Sequence, residues 1–250
     1  LSAARAITQD SPVSSIAGLF LWIESTGASI SNLTQLDDGD TIATWKDMNP
    51  QSNIKRDLTQ STAGYQPTYV MTGINNLPII RFDGVDDYMN SSAINLRDLS
   101  PNNQNTIFAV IKLRSNAVAT HVIASLESAS TNRISLQLDP TGLVHFDFGN
   151  NTTGQLIGAI NIYNTTRLIT LEKDSANQTI YLDGASHATQ SNTLTFVDAS
   201  PILYLGAYNA PSHFSVIDIG EFIIFDHCLL DEEREAVEAY LAKKWKITLS

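Results

Sequence analysis

The stretch that decides the fold reads Arg81-Phe82-Asp83-Gly84-Val85-Asp86-Asp87-Tyr88. The apolar run Leu77-Pro78-Ile79-Ile80 leads into it, which is typical of a strand that enters a core. An Asp-Gly pair follows, and glycine adopts positive φ without a steric penalty. The stretch therefore predicts a buried strand that ends in a sharp acidic turn with a tyrosine beside it.

Beyond this turn the sequence predicts a succession of short strands. From Thr106 to Asp226, apolar and β-branched runs alternate with turn sequences such as Asp139-Pro140-Thr141-Gly142 and Asp183-Gly184. Their spacing of roughly ten residues favours a sandwich or barrel over βαβ units. Hydrophobic residues make up 43% of the 250 and charged residues 16%, which is typical of a folded chain and not of a disordered one.

Both ends of the chain carry helix signals. Leu1, Ala4 and Ile7 fall on one helical face, so residues 1–16 are predicted to be a helical and linker segment before a single domain at 17–250. A second helix is predicted from Asp231, as its N-cap, to about Lys243. We expect this helix to pack on the edge of the sandwich, with Trp245 buried at its end. Its apolar stripe comprises Ala236, Val237, Tyr240 and Leu241.

These motifs, in this order, resemble a known family. Phe82 to Tyr88 is similar to the early signature of concanavalin A-like lectin and laminin-G-like jelly-roll modules, and Ile180-Tyr181-Leu182-Asp183-Gly184 is similar to a late strand and turn. Ile219 to Asp226 and the helix after it resemble the family's terminal strand and helix. The resemblance covers Gly18 to Trp245. It implies an all-β fold, an antiparallel jelly-roll β-sandwich of about 12–14 strands with a short C-terminal helix.

The N-terminal segment adds a second resemblance. Ala3 to Val13 looks like the stretch that joins a prepilin-type helix to such a head in bacterial pilin-like surface proteins. This resemblance implies an extracellular or cell-surface location, associated with an appendage.

The charge of the chain restricts its partners. Its formal net charge is -11, which argues against nucleic acid and against anionic membrane surfaces. No apolar run of membrane-spanning length occurs in the sequence. Glycans and other surface proteins remain as partners.

Cys228 is the single cysteine, so no intrachain disulfide forms, and we expect it to be a buried small hydrophobe.

Catalysis by glucanases of this fold needs paired carboxylates on one strand, facing one cleft. Glu127 stands alone after Leu126, and Glu221 has no acidic neighbour at alternate positions of its strand. The five histidines lack zinc-ligand spacing. We therefore expect no enzyme, and the alternative is a degenerate glycoside hydrolase-like domain.

Tyrosines and aspartates are the candidate ligand-binding residues. Trp22, Trp45 and Trp245 lie among apolar neighbours and are expected in the core. The candidates for sugar contact are Tyr88, Tyr204 and Tyr208. No cofactor is required, but carboxylate clusters can hold Ca²⁺, with a hydrated turn as the simpler interpretation. The two clusters are Asp83, Asp86 and Asp87, or Asp37, Asp38 and Asp40.

The sequence thus favours a non-enzymatic glycan-binding or adhesion module of an extracellular or pilus-like protein. The alternative is a structural subunit of a surface filament or of a virion coat or fibre, which would assemble as a homo-oligomer.

Overall fold

The structure is a computed structural model that describes residues 11–27, 36–115, 120–209 and 211–250. The helix predicted from Leu1 to Gln9 lies outside these residues. The described chain contains two α-helices, α1 (Leu96–Leu99) and α2 (Asp231–Trp245). Its strands are β1 (Leu19–Glu24), β2 (Thr44–Trp45), β3 (Leu58–Thr59), β4 (Thr68–Val70), β5 (Ile79–Asp83), β6 (Met89–Ala93), β7 (Asn105–Leu113), β8 (His121–Ala129), β9 (Asn132–Leu138), β10 (Leu143–Asn161), β11 (Thr166–Lys173), β12 (Asn177–Leu182), β13 (Ala185–Ser191), β14 (Ile202–Leu205) and β15 (Val216–Phe225).

The strands form two antiparallel sheets that pack into a sandwich. Sheet A has eight strands in the order β13-β12-β11-β7-β15-β5-β4, with β1 paired to β15 as well. Sheet B has seven strands in the order β10-β9-β8-β14-β6-β3-β2. Consecutive hairpins such as β11-β12-β13 and β8-β9-β10 lie beside strands that are far apart in sequence, such as β7, β15 and β5, as in a jelly roll. The predicted fold class is confirmed.

Strand β15 organises sheet A because it pairs with three other strands. Its first half lies against β5, with Ile217 opposite Phe82, and its second half lies against β1, with Ile223 opposite Trp22. Along its other side it pairs with β7. A strand enclosed on both sides and both faces favours apolar residues, which explains the run Phe222 to Phe225.

Strand β10 folds back on itself at the edge of sheet B. Its 19 residues would extend over roughly 60 Å if straight. The amide of Ile162 instead donates to the carbonyl of Gly142 at 3.0 Å, so the two ends lie together. Asn150 Oδ1 accepts from the amides of Thr152 and Gly154 at 2.9 and 2.8 Å, which fixes the turn between the two halves.

The main core fills the space between the sheets. Alternate residues of each strand point into it, among them the fully buried Trp45, Phe82 and Phe146. A second apolar cluster covers the outer face of sheet A, where Trp22 and Phe108 meet residues of α2. The molecule therefore has three layers: sheet B, sheet A and helix α2. The predicted core positions of all three tryptophans are confirmed.

Helix α2 differs from its prediction in position and in its buried face. It packs on the outer face of sheet A and not on an edge, because its neighbours are the face residues of the second cluster. The buried stripe is Val237, Leu241 and Trp245 at a spacing of four residues, whereas Ala236 is exposed. The N-cap is Leu230, so the helix begins at Asp231 rather than being capped by it.

A buried charge cluster connects α2 to sheet A. Lys244 Nζ lies 3.0 Å from Glu24 Oε2 and 2.8 Å from Glu221 Oε2. The indole nitrogens of Trp22 and Trp245 each donate to Glu221 at 2.8 Å. Glu221, which has no acidic residue at alternate positions of its strand, thus has a structural role.

Two further features concern membranes and the thiol. No helix in the described part of the chain is long and apolar enough to cross a membrane. Cys228 is half-buried rather than fully buried, and burial, together with the charge of Glu172, raises the pKa of its thiol to about 12. The thiol is therefore protonated and unreactive at neutral pH.

Candidate functional site

A row of polar side chains crosses the outer face of sheet B. Tyr204 of β14 lies opposite Asn90 on one side and Ser125 on the other. Ser125 lies opposite Ser135 of β9, and Ser135 opposite Asp147 of β10. The flanking residues of these strands enter the core, and strand side chains alternate between faces. The polar row is therefore presented on the face that points away from sheet A.

Arg133 is the centre of this face. Its guanidinium lies 3.1 Å from Asp147 Oδ2 and 3.5 Å from Glu127 Oε1, and it donates to Tyr208 Oη at 2.8 Å. The Arg133 side chain is only 4% exposed, although it stands on the outer face of the sheet. Burial raises the pKa of Tyr208, with the positive charge of Arg133 acting in the opposite direction.

Asp147 is held by several donors at once. Asp147 Oδ2 accepts from Gln137 Nε2 at 2.8 Å and from Ser135 Oγ at 3.0 Å, while Asp147 Oδ1 accepts from Gln155 Nε2 at 3.0 Å. Arg133, Ser135, Gln137 and Asp147 form what we call the buried network. Hydrogen bonds and ion pairs connect its members, with Arg133 Nε buried and unpaired, and such networks restrict the positions of their side chains.

A polar cleft opens beside the buried network. The connection from β14 to β15 covers the network, with Tyr208 over β9, and Asn209 Nδ2 donates to the Glu127 carbonyl at 3.1 Å. The cleft has a volume of about 380 Å³, within the range of small-ligand sites. The residues that line it are Glu127, Ser128, Ala129, Arg133, Asn151, Tyr208, Asn209 and Ser212.

Four rings form an aromatic patch on the same face. Tyr88 lies 6.0 Å from Tyr65, 5.9 Å from Tyr204 and 6.5 Å from Phe214, measured between ring centroids. Tyr65 is 41% exposed, whereas Tyr204 is 8% exposed, and burial raises the pKa of Tyr204. The patch over β14 and β6 is separated from Arg133 on β9 by two strand spacings, about 10 Å.

The acidic turn borders the aromatic patch. Gly84 has a φ of +82°, as the Asp-Gly pair predicts, and Asp83 Oδ1 accepts from the amides of Val85 and Asp86 at 2.7 and 3.3 Å. The carboxylate oxygens of Asp83, Asp86 and Asp87 lie within 4.8 Å of one another, a separation compatible with one Ca²⁺ between them. Burial and the neighbouring carboxylates raise the pKa of Asp87 to about 7.

The other acidic cluster has a different arrangement. Asp37 and Asp38 are exposed, and Asp40 Oδ2 accepts from the Asp37 amide at 2.8 Å. Asp38 Oδ1 accepts from the amide of Met71 at 2.8 Å, so two carboxylates of this cluster fix the local backbone. Calcium binding at either cluster stays a prediction.

The structure brings together only some of the predicted residues. Tyr88 and Tyr204 are in contact, while Tyr208 belongs to the cleft and bonds to Arg133. Sequence reasoning missed Arg133 and Asp147, and it left Glu127 isolated. The signal available was the alternation of Arg133 with core residues on β9, but this pattern alone indicates a solvated face.

The fold agrees with the comparisons with known proteins. The family model for the concanavalin A-like lectin/glucanases superfamily, of laminin G type, matches residues 83–233, more than half of the chain. The protein belongs to this superfamily. The comparisons do not support the prepilin-type resemblance, and no curated protein matches the chain.

Solved structures share the fold at low sequence identity. A sialidase from Trypanosoma rangeli aligns with a TM-score of 0.62 and 14% identity over 94% of this chain and 34% of its own. The binding domain of Paraclostridial Mosquitocidal Protein 1 aligns with a TM-score of 0.62 and 14% identity, over 90% of this chain and 52% of its own. The Botulinum Neurotoxin Type G receptor binding domain aligns with a TM-score of 0.52 and 12% identity, over 91% of this chain and 52% of its own. The chain thus spans about a third of the sialidase and about half of the two binding domains.

These neighbours correct one expectation. The sequence analysis predicted that the protein is not an enzyme, on the ground that Glu127 has no carboxylate partner on its strand. Structures of sialidases, which are enzymes, share this fold, so the fold is glycoside hydrolase-like. The expectation considered carboxylates on one strand only, whereas the structure connects Glu127 and Asp147 from different strands through Arg133.

Proposed function

We propose that the protein binds carbohydrate on the outer face of sheet B. The observation that carries this proposal is the presence of the aromatic patch and the polar cleft on one face of one sheet. Aromatic rings pack against the C–H faces of a sugar ring. Carboxylate, amide and hydroxyl groups in the cleft accept and donate hydrogen bonds to its hydroxyls.

The fold family supports this proposal. The superfamily includes lectins by its description, and two of the structural neighbours are a binding domain and a receptor binding domain. We also propose an extracellular or cell-surface location, since glycans are abundant there and the charge of -11 does not suit nucleic acid. Assembly into a filament or coat stays a prediction.

Calcium binding is a part of the proposal that the acidic turn supports. A cation bound by Asp83, Asp86 and Asp87 would lie directly before Tyr88 in the chain, and it would fix the ring that contacts three others in the aromatic patch. In that case glycan binding depends on Ca²⁺ through the position of Tyr88.

A glycan array followed by titration calorimetry tests the proposal. Tyr65→Ala removes the most exposed ring of the patch. Tyr208→Phe removes the hydroxyl by which this lining residue of the cleft is held against Arg133 and Gln137. We expect each change to weaken binding of the best array ligand about fivefold to tenfold, which corresponds to about 1–1.4 kcal/mol. Leu230→Ala is the control, because Leu230 is 70% exposed at the start of α2, on the opposite side of the sandwich.

The outcome that contradicts the proposal is the absence of reproducible binding to any glycan on the array. An equal loss of affinity in Tyr65→Ala and in Leu230→Ala would instead contradict the assignment of the site to this face.

Glycoside hydrolysis is a second candidate function, because two carboxylates flank one guanidinium in the cleft. Glycosidases use such pairs, one as acid and one as base or nucleophile. The side chain of Glu127 is 18% exposed, whereas that of Asp147 is fully buried, so Glu127 is the group that reaches a substrate. The test is release of sugar from aryl glycosides. Activity that Glu127→Gln abolishes supports this candidate, and no release above the buffer rate contradicts it.

A further inference from the structure

We propose that the polar cleft takes an uncharged, hydroxyl-rich sugar and discriminates against sugars that carry a carboxylate, such as sialic acid. This inference rests on the proposed carbohydrate-binding function and names its ligand class. It follows from how the charges of Glu127, Arg133 and Asp147 are arranged, and it separates this cleft from the sialic acid ligand of a structural neighbour.

Recognition of a carboxylate ligand needs an available cation. Among the lining residues, all of which the structure describes, Arg133 is the one cation. Its terminal nitrogens are already engaged by Asp147 at 3.1 Å and Glu127 at 3.5 Å, and by the hydroxyls of Tyr208 and Ser135 at 2.8 and 3.2 Å. A buried guanidinium held in this way would have to leave protein partners before it could bind a ligand carboxylate.

The sum of charges around the cleft is negative. Two carboxylates face one guanidinium, so the group of Glu127, Arg133 and Asp147 carries a net charge of -1 when ionised. A ligand carboxylate about 4 Å from Glu127 would lose about fivefold in affinity even at the dielectric constant of water. The loss is larger in a partly buried cleft, where the effective dielectric constant is lower.

The neutral polar groups at the rim of the cleft suit neutral hydroxyls. Asn151 and Asn209 are exposed at the rim and Ser212 is half-exposed, and each can both donate and accept. The Glu127 carboxylate accepts hydrogen bonds from hydroxyl groups, and charge-assisted bonds of this kind are the stronger ones. The cleft thus offers acceptors and neutral donors, which match a polyol.

Matched pairs of glycans test the inference. Each oligosaccharide is presented once in its neutral form and once with a terminal sialic acid, and dissociation constants are measured for the native protein, Glu127→Gln and Glu232→Gln. We expect the native protein to bind the neutral member at least fivefold more tightly. Glu127→Gln should reduce this ratio at least threefold. Glu232→Gln makes the same change in net charge on the exposed start of α2, and it should leave the ratio unchanged.

Equal or tighter binding of the sialylated members overturns this inference while the carbohydrate-binding function stands. An equal effect of the two Glu→Gln variants also overturns it, since the discrimination would then come from the charge of the whole protein. Binding of no member of any pair overturns both the inference and the proposed function.

Discussion

Replacing Lys244 with alanine tests whether the buried charge cluster fixes α2 on sheet A. Lys244 Nζ lies 3.0 Å from Glu24 Oε2 and 2.8 Å from Glu221 Oε2, and the three side chains are at most 4% exposed. The variant removes the cation that these two buried carboxylates share, a change that costs about 3–5 kcal/mol. For a chain of this size we expect the melting temperature to fall by about 6–20 °C.

The pH dependence of the variant gives a second readout. Burial alone would raise the pKa of Glu24, but in the native protein Lys244 and the hydrogen bond from Thr26 outweigh burial and lower it. Removal of Lys244 should therefore raise the folded-state pKa of Glu24 above its unfolded value of about 4.3. Stability linked to a raised carboxylate pKa is present below the unfolded pKa and is lost as pH rises through the folded one. The loss of unfolding free energy in Lys244→Ala should therefore be smaller at pH 5 than at pH 8.

Urea denaturation at both pH values measures these effects, with Lys243→Ala as the matched control. Lys243 is the adjacent residue and is exposed, so its replacement should change the free energy of unfolding by no more than about 0.5 kcal/mol. A loss below about 1 kcal/mol in Lys244→Ala, with no difference between the two pH values, would refute the reasoning.

Three further predictions concern packing, a turn and the acidic turn. Trp245→Ala should cost about 3–5 kcal/mol in urea denaturation because the ring is fully buried, and glycan affinity should not change; a loss under 1 kcal/mol contradicts it. Gly206→Ala should lower the melting temperature, since the φ of Gly206 is +83° and a Cβ would meet the Phe82 ring at 2.4 Å. The control Gly64→Ala should leave the melting temperature unchanged, because Gly64 has open space around it. Equal effects of the two substitutions would contradict this prediction. In EDTA, the free energy of unfolding should fall as pH rises from about 4 to 7, because the pKa of Asp87 in the folded protein is about 7. Asp87→Asn should remove this pH dependence. Millimolar Ca²⁺ should raise the melting temperature of the native protein but not that of Asp87→Asn.

Features that depend on local sequence were predicted correctly. The strand that enters the core at Ile79 and Ile80, the turn at Gly84 and the core position of Trp45 each follow from a few adjacent residues. The position of α2 was wrong, because its helical period shows which residues are apolar but not which sheet surface receives them. The position of the helix depends on Trp22 and Phe108, whose side chains point outward from sheet A. They make this face apolar, so another layer must cover it.

The buried network could not be predicted, because it depends on the register between strands. On β9, Arg133, Ser135 and Gln137 alternate with core residues, a pattern that indicates solvent-exposed polar side chains. They are buried because the connection between β14 and β15, about 75 residues further on, lies over them, as the bond from Arg133 to Tyr208 shows. No periodicity within a strand carries that information.

The candidate site is built from the departures of sheet B from regular pairing. On β8, Glu127 pairs with Arg133 and Ala129 with Asn132, so Ser128 is an extra residue that forms a bulge. A bulge bends its strand and changes the direction of neighbouring side chains, and this one lies in the wall of the cleft beside Glu127. The hairpin turn of β10 supplies Asn151, and the connection over the network supplies Tyr208. The regular alternation of the strands builds the core, whereas the bulge, the turn and the connection build the cleft. For this reason, ligand specificity can change within this fold while the core between the two sheets is retained.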